Sequence, residues 1–208
     1  MFPLLPKLKK VIGINALGVA PTGATPEFYR DKGYSIPPRY GPLAAGSQNA
    51  TAVIGGYNKC TLTELYNGST WAAGGALGTG RHYGAAAGSV NATLAFGGSN
   101  GTVVSGSEAY DGSAWSATNE LNVGRFYLGG AGTQNAAVAF HGETPTKVSC
   151  TEEYNGTSWS VGGAAGIARS CLGGAGSQGA ALAAGGNTDT DATEEYSVTY
   201  VKTVCLDS

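Results

Sequence analysis

Ala131-Gly-Thr-Gln-Asn-Ala-Ala-Val-Ala-Phe-His-Gly142 is one of four versions of a single phrase in this chain. The other three begin at Ala45, Ala87 and Ala175, so the phrase recurs after 42, 44 and 44 residues. An arginine stands six residues before each copy, at Arg39, Arg81, Arg125 and Arg169. A glycine pair closes the phrase at Gly55-Gly56, Gly97-Gly98 and Gly185-Gly186, with His141-Gly142 in the third copy. Tyr66, Tyr110, Tyr154 and Tyr196 follow, and Trp71, Trp115 and Trp159 stand five residues after the first three of them. Independent markers that keep one register over this period identify a repeat architecture.

Each unit reads as four short strands. In the third, 126–131 is the first strand and 133–135 a turn. Ala136 to Phe140 alternates small and larger apolar residues, as a strand with one packed face does. A polar loop at Glu143–Thr146 leads to a third strand from Lys147 to Tyr154. Asn155-Gly156 predicts a type I′ hairpin turn, and Ser158 to Val161 opens the fourth strand. Asn67-Gly68 and Asp111-Gly112 repeat that turn. Strands at this spacing indicate an all-β fold. A four-stranded unit of about 44 residues cannot cover both of its own faces, but radially stacked units cover one another as blades of a β-propeller. The expected architecture is all-β: four blades at 39–80, 81–124, 125–168 and 169–208, with an arm at 1–38 outside the repeat.

Composition agrees with this reading. Glycine contributes 35 of 208 residues, well above the usual roughly 7%, and small residues let sheets approach near a propeller axis. Tyr and Trp then fill the wider gaps toward the rim, so Trp115→Ala is expected among the costliest changes. Twelve Lys+Arg against fourteen Asp+Glu leave a net charge of −2. That excludes a basic nucleic-acid surface. No apolar run reaches the roughly 18 residues of a membrane span.

The sequence Arg125, Ala136-Ala-Val-Ala-Phe-His-Gly142, Glu152-Glu-Tyr154-Asn-Gly-Thr-Ser-Trp159 resembles the kelch repeat of β-propellers, and the likeness covers 39–208. Its Gly/Ala/Ser/Thr-rich style, with the repeated Ala-Gly-Ser-Gln-Asn-Ala, is similar to the kelch-like proteins of bacteriophage virions and tails. The chain departs from that pattern in two ways. Kelch propellers usually have more blades, and the fourth unit lacks both the Asn-Gly turn and the Trp. A continuous β-rich stretch, Glu194 to Cys205, stands there instead. The four blades close into a small ring, or the last one borrows a strand, since an unpaired edge is an aggregation hazard. Val11–Ile14 of the N-terminal arm is the preferred donor, with a neighbouring subunit the alternative.

Met1 to Ala20 imitates a signal peptide, with a short hydrophobic region interrupted by Gly13, Asn15 and Gly18. Thr25-Pro26 reads as the start of a short helix ending near Gly33, and Pro37-Pro38 as a linker. The arm docks the propeller in an assembly or packs on its own ring.

No catalytic constellation emerges. Gly97-Gly-Ser-Asn-Gly101 matches a nucleophile-elbow pattern but sits in an expected hairpin loop rather than a strand-to-helix turn. His82 and His141 occupy different repeat positions without zinc-type spacing. Asn187, Asp189 and Asp191 alternate oxygen ligands beside Glu194 and Glu195, a weak calcium candidate that also reads as a solvated hairpin tip. Cys60, Cys150, Cys171 and Cys205 show no redox or metal spacing; buried free thiols are expected, with a Cys171–Cys205 pairing possible in the fourth unit. The sequons at Asn49, Asn67, Asn91, Asn100 and Asn155 reflect turn chemistry. The four arginines form a ligand-facing ring, or each pairs within its repeat with Glu64, Glu108, Glu152 or Glu194, or with loop carbonyls. Strict repetition favours the structural role.

The expected function is that of a non-enzymatic structural or interaction protein without a cofactor. The resemblance implies a virion or tail component that displays a propeller for assembly or host adhesion, with other virion proteins as partners. A homo-oligomer is compatible with this. The alternative is a lectin-like, secreted or surface-displayed carbohydrate-binding propeller.

Overall fold

The computed structural model describes residues 39–187 and 192–197. They form four antiparallel sheets arranged as a four-bladed β-propeller. Blade 1 contains β1 (Leu43–Ser47), β2 (Ala50–Ile54), β3 (Thr63–Tyr66) and β4 (Trp71–Ala73). Blade 2 contains β5 (Ala85–Ser89), β6 (Ala92–Phe96), β7 (Ser107–Tyr110) and β8 (Trp115–Thr118). Blade 3 contains β9 (Gly129–Thr133), β10 (Ala136–Phe140), β13 (Thr151–Tyr154) and β14 (Trp159–Val161), with a small hairpin of β11 (Glu143–Thr144) and β12 (Thr146–Lys147) between its second and third strands. Blade 4 contains β15 (Gly173–Ser177), β16 (Ala180–Ala184) and β17 (Thr193–Ser197). The expected continuation to Cys205, a fourth strand for this blade, and the whole of 1–38 lie outside the described residues.

The blades stack through three apolar layers. Leu43, Ala52, Ile54 and Leu77 of blade 1 meet Ala95 of blade 2. Leu94, Phe96 and Leu121 meet Ala137, Ala139, Tyr154 and Trp159. Val138 and Phe140 meet Ala181 and Ala183. The second strand of an inner blade is therefore buried on both faces, and Leu94, Ala95 and Phe96 have no exposed surface. Each large apolar side chain so buried contributes about 1.5–3 kcal/mol. Glycine sets the closeness of approach: a Cβ on Gly130 would lie 2.6 Å from Cζ of Phe96 in the preceding blade.

Three details differ from the sequence expectation. The third blade's first strand starts at Gly129, because Tyr127 has a positive φ of 54° and its N–H bonds to Tyr83 O of the neighbouring blade at 2.7 Å. Lys147 belongs to the small hairpin, whose tip is Pro145, and the third strand starts at Thr151. The Asn-Gly hairpins are not type I′. Gly156 has φ 92°, but Asn155 has no positive φ. Instead the Asn155 side chain accepts the N–H groups of Thr157 and Ser158, both at 2.9 Å. Tyr154 pairs with Trp159 across a four-residue loop. Asn67 and Asp111 do the same, since a short polar side chain mimics a backbone turn.

The inner strands contact one another in the order β1, β5, β9, β15. Among the described residues, no contact of that extent joins β15 back to β1.

Candidate functional site

The repeated arginines are braces. Arg125 has no exposed surface. Its Nη2 donates to Glu152 at 2.5 Å and its Nη1 to Cys150 O at 2.8 Å. Arg81 pairs with Glu108 at 2.6 Å and reaches Gly106 O and Gly97 O. Arg169 pairs with Glu194 at 2.6 Å and reaches Ala192 O and Gly185 O. Arg39 binds Glu64, Leu62 O and Gly55 O. One guanidinium nitrogen thus takes the carboxylate while the other ties the loop between second and third strands. The glutamates also reach backward. Glu108 accepts the N–H groups of Gly78 and Thr79, Glu152 those of Asn122 and Val123, and Glu194 that of Gly166. The pairs of blades 2, 3 and 4 therefore clamp each of these blades to the one before. These guanidinium groups are committed to the fold and do not line an open ligand ring.

The tyrosine and tryptophan markers fill the gaps between blades. Trp115 Nε1 donates to Thr63 Oγ1 at 2.9 Å, and Trp159 Nε1 to Ser107 Oγ at 3.1 Å, each in the preceding blade. Tyr110 packs its ring on Trp115, as Tyr66 does on Trp71 and Tyr154 on Trp159. Trp159 is buried whereas Trp115 is half-buried, so the largest aromatic penalty moves to blade 3. Tyr196 turns its hydroxyl to Glu153.

The exposed chemistry collects where the inner strands begin. The second residue after each repeat arginine has a positive φ: Gly41, Tyr83, Tyr127 and Cys171. Tyr83 N bonds to Gly41 O, Tyr127 N to Tyr83 O and Cys171 N to Tyr127 O, at 2.7–2.9 Å. This staircase brings aromatic rings from successive blades together. Tyr83 lies 4.2 Å from Tyr127 and 5.7 Å from Tyr40, centroid to centroid. His82 lies 4.6 Å from Tyr83 and 5.2 Å from Tyr57, and Phe126 lies 4.9 Å from Tyr127. Tyr40 and Tyr57 are 71% and 57% exposed. Partial burial, then the Tyr127 and Tyr40 hydroxyls, push the Tyr83 phenol upward, so it remains a neutral donor at ordinary pH. The sequence reading missed this patch. Its signal was an aromatic or imidazole ring directly after three of the arginines: Tyr40, His82-Tyr83 and Phe126-Tyr127.

A second hollow, of about 240 Å³, lies between blades 3 and 4 beside Phe140, His141, Thr151, Glu194 and Tyr196. His141 Nε2 stands 3.6 Å from Glu194 and 3.5 Å from Arg169. Burial, reinforced by the Arg169 charge, holds the His141 imidazole below its ordinary value; burial alone lowers His82. Burial would raise the Glu194 carboxyl, but the Gly166 N–H and Arg169 outweigh it and hold it low. The unfolded chain then takes up protons at these sites before the folded one, so stability is full above about pH 6.5 and falls on acidification. The Tm is expected to drop between pH 7.5 and 5. His141→Gln should flatten the histidine part of that slope; a slope unchanged in the variant would assign it elsewhere.

Other sequence candidates fall apart from both places. Ser99 lies in the loop after β6, where its Oγ accepts the Gly101 N–H. Asn187 is exposed, and its carbonyl accepts Lys147 Nζ; Asp189 and Asp191 lie outside the described residues. Cys60 and Cys150 are half-buried free thiols and Cys171 is exposed, correcting the expectation of buried thiols, since Cys171 stands on the exposed staircase. Cys205 lies outside the described residues. No protein-family model matches this chain, and no curated protein matches it.

Proposed function

We propose that this is a non-enzymatic structural and interaction protein, a virion or tail component of the phage kelch-like kind, which presents its aromatic patch for assembly or host-surface adhesion. One observation supports this most. The repeated charged side chains are engaged as braces between blades, whereas Tyr40, Tyr57, Tyr83 and Tyr127 are gathered and accessible at one end. Rings with an apolar face and a hydroxyl tip make contact area at low entropic cost. The lectin-like reading draws on the same patch, since ring faces stack on the apolar faces of sugars. The test is binding of the multivalently displayed full chain to virion fractions and to a glycan panel, with Tyr40→Ala and Tyr83→Ala beside it. Retention on virion material, weakened about tenfold in the variants, supports the first reading. Glycan hits lost in the variants support the second. Binding to neither overturns both.

A further inference from the structure

We propose that the outer face of blade 4, uncovered among the described residues, receives blade 1 of a second copy of this chain, so that copies associate head to tail through a fourth version of the junction the chain builds three times internally. The inference does not depend on the virion or glycan reading.

Two backbone bonds recur at all three internal junctions, and two side-chain contacts recur at two of the three each. The N–H of the staircase residue bonds to the staircase carbonyl of the preceding blade, as Tyr83 does to Gly41. The second glycine of the preceding blade donates to the arginine carbonyl of the next: Gly56 to Arg81, Gly98 to Arg125 and Gly142 to Arg169, all at 2.8 Å. A turn glutamine caps the preceding blade, with Gln134 on Thr93 O and Tyr110 O, and Gln178 on Ala137 O and Tyr154 O. Trp115 and Trp159 donate to Thr63 and Ser107.

The two ends of the described arc hold the halves of this set that are unmatched among the described residues. Blade 4 offers Cys171 O, Gly186 N, the carbonyls of Ala181 and Tyr196, and the Thr193 hydroxyl. Blade 1 offers, in the same order, Gly41 N, Arg39 O, the Gln48 amide and Trp71 Nε1. Among the described residues none of these groups makes the corresponding bond. Burial points the same way. Ala52, Leu94 and Val138 face the next blade and have no exposed surface, whereas their counterpart Leu182 is 38% exposed. Thr63, Ser107 and Thr151 are buried, whereas Thr193 is exposed. Ala45, Ala87 and Ala131 are buried, whereas Ala175 is exposed.

Side-chain sizes also fit. Gly130 meets Phe96 and Gly174 meets Phe140, while Ala86 packs against the cluster that holds Ile54. The fourth pairing would set exposed Ala44 against exposed Ala184. The surface is heterologous, so association closes into a ring of copies or propagates.

The test uses the full chain and two variants at exposed positions, Leu182→Arg to block the blade 4 face and Ala44→Arg to block the blade 1 face. Sedimentation of the unaltered chain should give a multiple of the monomer mass. Each variant alone should be a β-folded monomer, and an equimolar mixture should double in mass, because one intact face of each kind remains. Three outcomes would each overturn the proposal. The unaltered chain could stay monomeric at its highest soluble concentration, the mixture could stay monomeric, or Ala44→Arg could assemble as the unaltered chain does.

Discussion

Replacing Arg125 with methionine lowers the unfolding free energy by about 3–5 kcal/mol, the range for removing one partner of a buried ion pair. Arg125 has no exposed surface, and Glu152, its partner at 2.5 Å, is also buried. Methionine replaces much of the volume, so the loss is electrostatic: the buried Glu152 carboxyl is left without its guanidinium, and Cys150 O loses its donor. For a chain of this length the midpoint falls by about 10 °C. The double variant Arg125→Met with Glu152→Met should lose less than the sum of the two single changes, because no charge is then orphaned. It should still be less stable than the unaltered protein, because Glu152 also accepts the N–H groups of Asn122 and Val123. Arg169→Met should cost less than Arg125→Met, since Glu194 is about a quarter exposed and water can solvate it. Urea denaturation of the variants measures all of these. Equal losses at Arg125 and Arg169 would show that burial does not set the size of the effect.

Trp159→Ala should cost about 3–5 kcal/mol, the usual range for deleting a buried tryptophan. The ring is buried 5.0 Å from Phe96 and 5.1 Å from Tyr154, and it spans the gap between blades 2 and 3. Its N–H adds one bond to Ser107 Oγ, so Ser107→Ala alone should lose only about 1 kcal/mol. Trp115→Ala should fall between them, because that ring is half-buried. Trp71→Ala should be the mildest of the three tryptophan changes, because Trp71 is half-buried and its Nε1 makes no bond across a junction among the described residues. A single stability loss shared by all three would contradict this ranking.

Much of the fold was legible because a repeat writes its internal pairing in its own residues. The Arg–Glu brace depends on two positions 25 or 27 residues apart within one blade, so four copies of the two markers predict four pairs. The hairpin at Asn155-Gly156 was also legible, but its turn type was not. Asn155 satisfies the loop with its side chain rather than with a positive φ, and both solutions use the same two letters. The aromatic patch was harder to read. Tyr83 and Tyr127 share a repeat position while Tyr40 stands one place earlier in its blade, and only the left-handed residues of the staircase gather their rings at one end.

The sequence by itself determined the blade, its period and its internal braces, because hydrogen-bond register and strand alternation are local properties of the repeating unit. What stands on either side of each blade was decided by the tertiary structure. Leu94, Val138 and Leu182 occupy one repeat position, and Trp71 and Trp159 another, yet their burial differs. Burial belongs to the junction between neighbours, and at the two ends of the arc the described residues supply only one side of it.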